Sequence, residues 1–228
     1  MRFIEKVRQI FTLPDLRRKV LYVIVLLIIA RILAHVPLPG VDIEALRTFF
    51  NRNQIFGLLN MFSGGSMENF SIIMMGVGPY ISSSIIIQLL TMVIPSLEEI
   101  QKEGESGQQK INYWTRILTV PLAVIQSYSM LAILKSQGII LSWTMFQLAV
   151  MIISITAGTI LLMWIGELIS ENGIGNGVSL IIALGIVAGI PGQIRNTLAV
   201  VDTSGIISLI IFGIIAIGVI VLIIYAND

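Results

Sequence analysis

Few side chains in this sequence are suited to chemistry. Arg31 sits about two-thirds of the way along an apolar run, Val20–Val36. A charge at that depth is costly and is a functional candidate by default. Because it lies near the end of its run, it can snorkel or bond a loop carbonyl, and a structural role is favoured. Ser82, Ser83, Ser84 and Gln88 form a polar set inside another apolar run. Such groups must bond backbone, a neighbouring helix or water. They fit either close packing through small residues or the wall of an aqueous path. Glu167 falls at the end of a run and reads as interfacial. The Gly- and Asn-rich stretch 166–177 contains no Lys and follows no strand, so it is not a phosphate loop. There is no His-Glu-x-x-His motif, no pair of Asp residues within an apolar run, no cysteine and one histidine. A nucleophile with its base, or a metal centre, has nothing to be built from, so enzymatic activity is not expected. A coupled secondary transporter needs ionisable or polar groups at midplane around broken helices. Broken helices are present and ionisable midplane groups are not; that reading remains the alternative.

The elements that carry these residues are apolar helices. Of the 228 residues, 56% are hydrophobic and 12% charged. A soluble domain carries about twice that charge. Six apolar runs can be read: Val20–Val36, Phe70–Ile94, Trp114–Leu134, Trp143–Ile165, Val178–Ile194 and Gly205–Tyr225. A crossing needs roughly 20 apolar residues. The expected fold is therefore an all-α polytopic membrane protein with six crossings. Net charge is +1, which gives no reason to expect nucleic-acid readout. The first run follows a basic segment and lacks a small-residue cleavage site, so no cleavable signal peptide is expected. Arg2, Lys6, Arg8, Arg17, Arg18 and Lys19 precede the first run, and Lys102, Lys110 and Arg116 follow the second. The other side holds Arg47, Arg52, Lys135 and Arg195. This bias predicts a cytoplasmic N terminus. Trp114, Trp143 and Trp164 fall near run ends, where aromatic belts lie.

The breaks are as informative as the runs. Phe3–Phe11 has the pattern of a short amphipathic helix. Pro37-Leu38-Pro39-Gly40 ends the first run, and Asp42–Asn53 predicts a short surface helix. Gln54–Phe70 is apolar yet too short and broken to cross, with a flexible Ser63-Gly64-Gly65-Ser66 hinge. It fits a short helix that re-enters the membrane and stops at Gly64-Gly65. Irregular backbone at depth requires surrounding protein or a water-filled cavity, so a cavity is expected beside it. Gly76-Val77-Gly78-Pro79 weakens the next span. Ser96–Asn112 is charged, made flexible by Gly104 and Gly107, and is a docking candidate. Stretch 166–177 is expected to be a turn, and Pro191-Gly192 to end the short fifth span. The third, fourth and sixth spans read as framework.

Two long patterns then carry a resemblance. Ser71–Gln88 and Trp164–Ile182 resemble the two signature segments of the SecY family, whose members are central subunits of the bacterial protein-conducting channel. Asn60–Gly65, Pro37–Gly40 and Lys102–Gly107 resemble further family segments, in order along the chain. The resemblance implies a ten-span helix bundle, of which this chain covers spans 1–6 with a re-entrant plug helix; the chain is expected to be the first part of a longer one. It implies an N-terminal segment 1–19, a first pseudo-repeat 20–195 with the plug at 54–70 and a cytoplasmic loop at 95–113, and the start of a second half at 196–228.

The resemblance also implies site residues. The apolar pore ring falls on Val77, Ile81, Val178 and Ile182; each pair is spaced i, i+4 and so shares a helix face. The plug falls on Asn60, Met61, Phe62, Ser63, Gly64, Gly65 and Ser66. One side of the lateral gate falls on Pro79, Ser82, Ser83, Ile86 and Gln88, and cytoplasmic docking on Lys102, Glu103 and Lys110. Val77 and Val178 stand where the family often has Ile, implying a slightly wider ring. Gln108 and Gln109 stand where it commonly has Arg or Lys, which weakens charge-based docking. Implied partners are SecE-like and SecG-like subunits, a SecA-like motor ATPase or a ribosome, and signal sequences and nascent polypeptides, all at the lipid of the bacterial cytoplasmic membrane. No cofactor is implied.

Overall fold

A computed structural model describes residues 13–140, 142–172, 175–200 and 203–227. The amphipathic segment expected at Phe3–Phe11 lies outside them. Among the described residues the elements are helical, joined by turns: α1 (Pro14–Leu33), α2 (Ile43–Arg52), α3 (Gln54–Phe62), α4 (Gly78–Val93), α5 (Pro95–Lys102), α6 (Glu105–Ser136), α7 (Met145–Asn172), α8 (Gly177–Val200) and α9 (Thr203–Asn227). The chain divides into two compact units, Met1–Ala188 and Gly189–Asp228.

Local chemistry explains most boundaries. α1 opens on Pro14, where a missing N–H costs nothing. Asp42 caps α2 by accepting from the Glu44 and Ala45 N–H groups at 2.9 and 3.1 Å. Asn176 caps α8 through Ser179 N–H at 3.0 Å.

Several elements depart from expectation. The second span is helical only from Gly78, leaving 16 residues in α4. At 1.5 Å per residue that is about 24 Å, short of a bilayer core of roughly 30 Å. Residues 72–77 are turns instead, with Gly76 at φ +56, and Phe70 just before them takes φ +45. The expected flexible loop at 95–113 is ordered: α5 bends 103° from α4 at Pro95, and α6 starts at Glu105. Gly107 serves close packing rather than flexibility, because a Cβ there would lie 1.7 Å from the Ile100 carbonyl oxygen. α7 continues to Asn172, so Gly166–Asn172 is helix and not turn. α8 runs through Pro191, so Pro191-Gly192 does not end it.

By length and composition, α6 and α7 are each able to cross a membrane, and α4 with α5 qualify together only as a bent pair. Gly177–Gly192 and Gly213–Tyr225 are shorter apolar helices. α1 carries Asp15, Arg17, Arg18 and Lys19 in its first turns, which dilutes its apolar stretch.

In the first unit α4 packs along α6, α6 along α7, and α1 along α7. Gly158 lets α7 press against the turns before α4; a Cβ there would lie 2.1 Å from the Ile72 carbonyl oxygen. One buried cluster joins Leu46, Phe50, Phe70, Met74, Leu131 and Ile155. A second joins Val23, Leu26, Ala30, Ile73, Val77, Leu162 and Ile165, with Ile81, Val178 and Ile182 packed against it.

Candidate functional site

Two helix starts converge on the second cluster. Val77 is the N-cap of α4 rather than a helical residue, which adjusts the expected shared helix face. The spacing still holds in space, because the Ile81 N–H donates to the Val77 carbonyl at 3.0 Å. Val178 and Ile182 lie in the first turns of α8. α8 starts close to α7 because Gly177 leaves no side chain at the contact: a Cβ there would lie 2.0 Å from the Gly166 carbonyl oxygen. Ser170 ties the junction, donating from Oγ to the Gly166 carbonyl at 3.0 Å and accepting from the Gly177 N–H at 2.8 Å. Val77 is buried, while Ile81, Val178 and Ile182 are half-buried.

Two cavities meet at these residues. One, about 350 Å³, is bordered by Val77, Ile81 and Ile182 together with Leu59, Ser63, Met67 and Gln126. The other, about 310 Å³, is bordered by Ile81, Val178 and Ile182 together with Tyr80, Ser84, Glu167 and Asn176. Ile81 and Ile182 belong to both walls, so they stand where one space gives way to the other. The first cavity lies beside the broken stretch 54–70, where a cavity was expected. Gln126 and Met130 of α6 line it too, although the third span reads as plain framework in sequence. A polar side chain within an apolar run was the available signal.

The stretch 60–66 is ordered. Asn60, Met61 and Phe62 close α3, and Ser63 caps its end, with its N–H on the Leu59 carbonyl at 3.0 Å. Gly64 and Gly65 take φ +67 and +79, a region that glycine enters without strain. Asn60 and Glu68 clasp the loop: Asn60 Nδ2 donates to Glu68 Oε2 at 2.8 Å, and Asn60 Oδ1 accepts from the Glu68 N–H at 3.1 Å. Ser66 is fully buried and donates to the Ile73 carbonyl at 3.2 Å. An antiparallel pairing of residues 36–38 with 70–72 pins the far end. The expected Ser63–Ser66 hinge is thus held at both sides. Arg31 Nη1 donates to the Gly64 carbonyl, the loop-carbonyl bond that its position in α1 allowed.

The remaining expected sets divide. Pro79 and Ser83 belong to a buried stripe with Ile87 and Thr91, at steps of four along α4. Ser83 Oγ donates to the Thr115 carbonyl of α6 at 2.6 Å. Ser82 is half-buried, while Ile86 and Gln88 are exposed. Gln88 points away from Pro79 on the helical wheel. Ser83 therefore reads as a packing residue: Ser83→Ala should cost about 0.6 kcal/mol of bundle stability and leave transport unchanged, by denaturant unfolding and a transport assay. Of the charged set, Lys102 pairs with Glu98 at 2.6 Å and Lys110 with Glu103 at 2.8 Å, all on exposed surface. Glu167, read in sequence as simply interfacial, pairs with Arg116 at 2.6 Å and so ties α7 to α6.

Comparison with known proteins bears on the family. A family profile described as SecY matches residues 71–228. The "Protein translocase subunit SecY" of Buchnera aphidicola subsp. Acyrthosiphon pisum is 44% identical over 193 residues, covering 82% of this chain and 44% of that protein. The proteins of the same name from Streptomyces scabiei and Pseudomonas aeruginosa are each 41% identical, over 92% and 93% of this chain and 51% and 49% of their own lengths. The chain thus spans about half the length of the curated relatives it matches. The alternative of a coupled secondary transporter finds no support among these relatives and is set aside. With a profile that matches most of its length and relatives more than 40% identical over most of it, the chain belongs to the SecY family.

Proposed function

We propose that this chain supplies the opening spans of the central subunit of a protein-conducting channel, and is not an enzyme. The channel moves unfolded secretory proteins across the bacterial cytoplasmic membrane and membrane segments sideways into it. The observation that carries this reading is the pair of cavities that share Ile81 and Ile182, one of them flanked by the re-entrant stretch. Val77, Ile81, Val178 and Ile182 are the ring. Branched apolar side chains offer no fixed donors or charges, fit loosely around any passing chain and dewet when it leaves, which resists ion flow. Residues 60–66 are the plug. Ser82 and Ile86 present the gate face of α4, with Gln88 on its other side, while Pro79 and Ser83 anchor the helix to α6.

The N terminus is cytoplasmic on the balance of Lys and Arg, and the six apolar runs are its spans, of which α6 and α7 among the described residues are each long and apolar enough to cross alone. Lys102, Glu103 and Lys110 lie on the cytoplasmic face as a docking surface, one whose charges are already paired with each other or with Glu98. SecE-like and SecG-like subunits complete the channel. A SecA-like motor ATPase or a ribosome supplies the push.

Ile81→Cys or Ile182→Cys in the complete translocase tests the ring, since this sequence has no cysteine of its own. A secretory substrate stalled in transit and carrying a second cysteine should form a disulfide with either position. No adduct at either site would sink the ring assignment.

A further inference from the structure

We propose that Arg31 is the latch of the plug, a positioning residue that holds the re-entrant stretch seated and couples its release to the widening of the ring. The proposal rests on the plug reading above. Among the described residues no carboxylate pairs with Arg31; its Nη1 donates to a backbone carbonyl, that of Gly64. That carbonyl lies two residues beyond the last helical residue of α3. Helix C-terminal ends carry partial negative charge, so a guanidinium there gains both a hydrogen bond and a favourable field. α1 can come this close because Ala30 and Ala34, which flank Arg31, are small and buried.

The same point is a three-way contact. A Cβ on Gly64 would lie 2.8 Å from Gly185 Cα and 2.9 Å from Arg31 Nη1. α1, the plug and α8 therefore meet at one glycine. A small space of about 40 Å³ bordered by Arg31, Ser63, Val77, Ile182 and Gly185 joins this contact to the ring. Gly185 follows Ile182 by three residues, nearly one turn of α8. A passing polypeptide that pushes Ile182 outward must carry Gly185 with it. That movement removes the wall against which Gly64 is held and leaves the Arg31 bond as the restraint on Gly64 itself, while Ser66 stays bonded to the Ile73 carbonyl beyond it. Because the acceptor is backbone, the latch does not depend on the side chains of the plug. The forked guanidinium suits the site better than an ammonium, since it keeps donors for neighbouring carbonyls or water while one holds Gly64.

The test uses the complete translocase in proteoliposomes, with four variants: Arg31→Met, Arg31→Lys, deletion of residues 60–66, and that deletion combined with Arg31→Met. Loss of one charge-assisted hydrogen bond should raise the open-plug population roughly tenfold. Resting ion leak should rise accordingly in Arg31→Met, and less in Arg31→Lys. In the deletion background Arg31→Met should add nothing. A Ser66→Cys reporter, buried in the seated plug, should react faster with an impermeant maleimide when Arg31→Met is present. Leak and reactivity equal to the parent overturn the latch, as does a combined variant that leaks more than the deletion alone, which would make Arg31 a bundle residue. If the deletion itself leaves leak unchanged, the plug reading fails instead. Should Arg31→Met fail to accumulate, Arg31→Lys decides in its place: raised leak and faster Ser66→Cys labelling support the latch, and parental values overturn it.

Discussion

Deleting residues 60–66 from the complete translocase should raise the resting ion leak severalfold or more while export largely continues. The segment has a seat built for it. Ser63 borders the 350 Å³ cavity beside Val77, Ile81 and Ile182. Asn60 clasps Glu68, Ser66 is buried on the Ile73 carbonyl, and Arg31 holds Gly64. Removing these residues takes away a wall of that space and leaves the four branched side chains as the remaining barrier. Such a ring resists ions by dewetting only while it is narrow and dry, and Val77 and Val178 are the smaller members of the proposed set. Export should persist because α4 and α8, which carry the proposed ring, keep their own anchors on α6 and α7. Single-channel conductance and an export assay on the same preparation decide the matter. An unchanged leak would reduce residues 54–70 to an external loop.

Gly177→Ala should both destabilise the first unit and disturb the residues proposed as the ring. The added carbon would sit 2.0 Å from the Gly166 carbonyl oxygen and 2.7 Å from Ile169 Cβ. Neither neighbour is the free end of a flexible side chain, so the helices must separate. Overpacking of this kind costs about 1–3 kcal/mol. The displacement would also disturb the Gly177 N–H bond to Ser170 across the junction and carry Val178 and Ile182 away from Ile81. Unfolding in denaturant should shift to lower concentration, and resting leak should rise in the fraction that folds. A variant that matches the parent in both would show that the junction is not tightly closed. Gly192→Ala serves as the control, because a Cβ there meets nothing within 4 Å and the position is exposed.

The features legible in the order of residues all follow from local rules. Apolar runs identified a helical membrane protein, because a chain with 12% charged residues cannot cover itself for water. The polar stretch Asp42–Asn53 implied a short surface helix, and α2 fills it behind an Asp42 cap that acts within three residues. The apolar but broken Gln54–Phe70 stretch implied a half-length helix and a cavity, since backbone at depth must be satisfied within protein. Long signature segments identified the family. Contacts between residues far apart in the chain settled the rest. Gly107 reads as flexible and Gly177 as the end of a turn until Ile100 and Gly166 are seen pressing on them. Ser83 could have lined an aqueous path; a carbonyl 32 residues away makes it a packing residue. Glu167 passed for an interfacial charge until Arg116, 51 residues away, appeared beside it. Arg31 showed in sequence only that a cost had to be met. Which group met it, the Gly64 carbonyl 33 residues away, was fixed by packing that brings α1, the plug and α8 to one point.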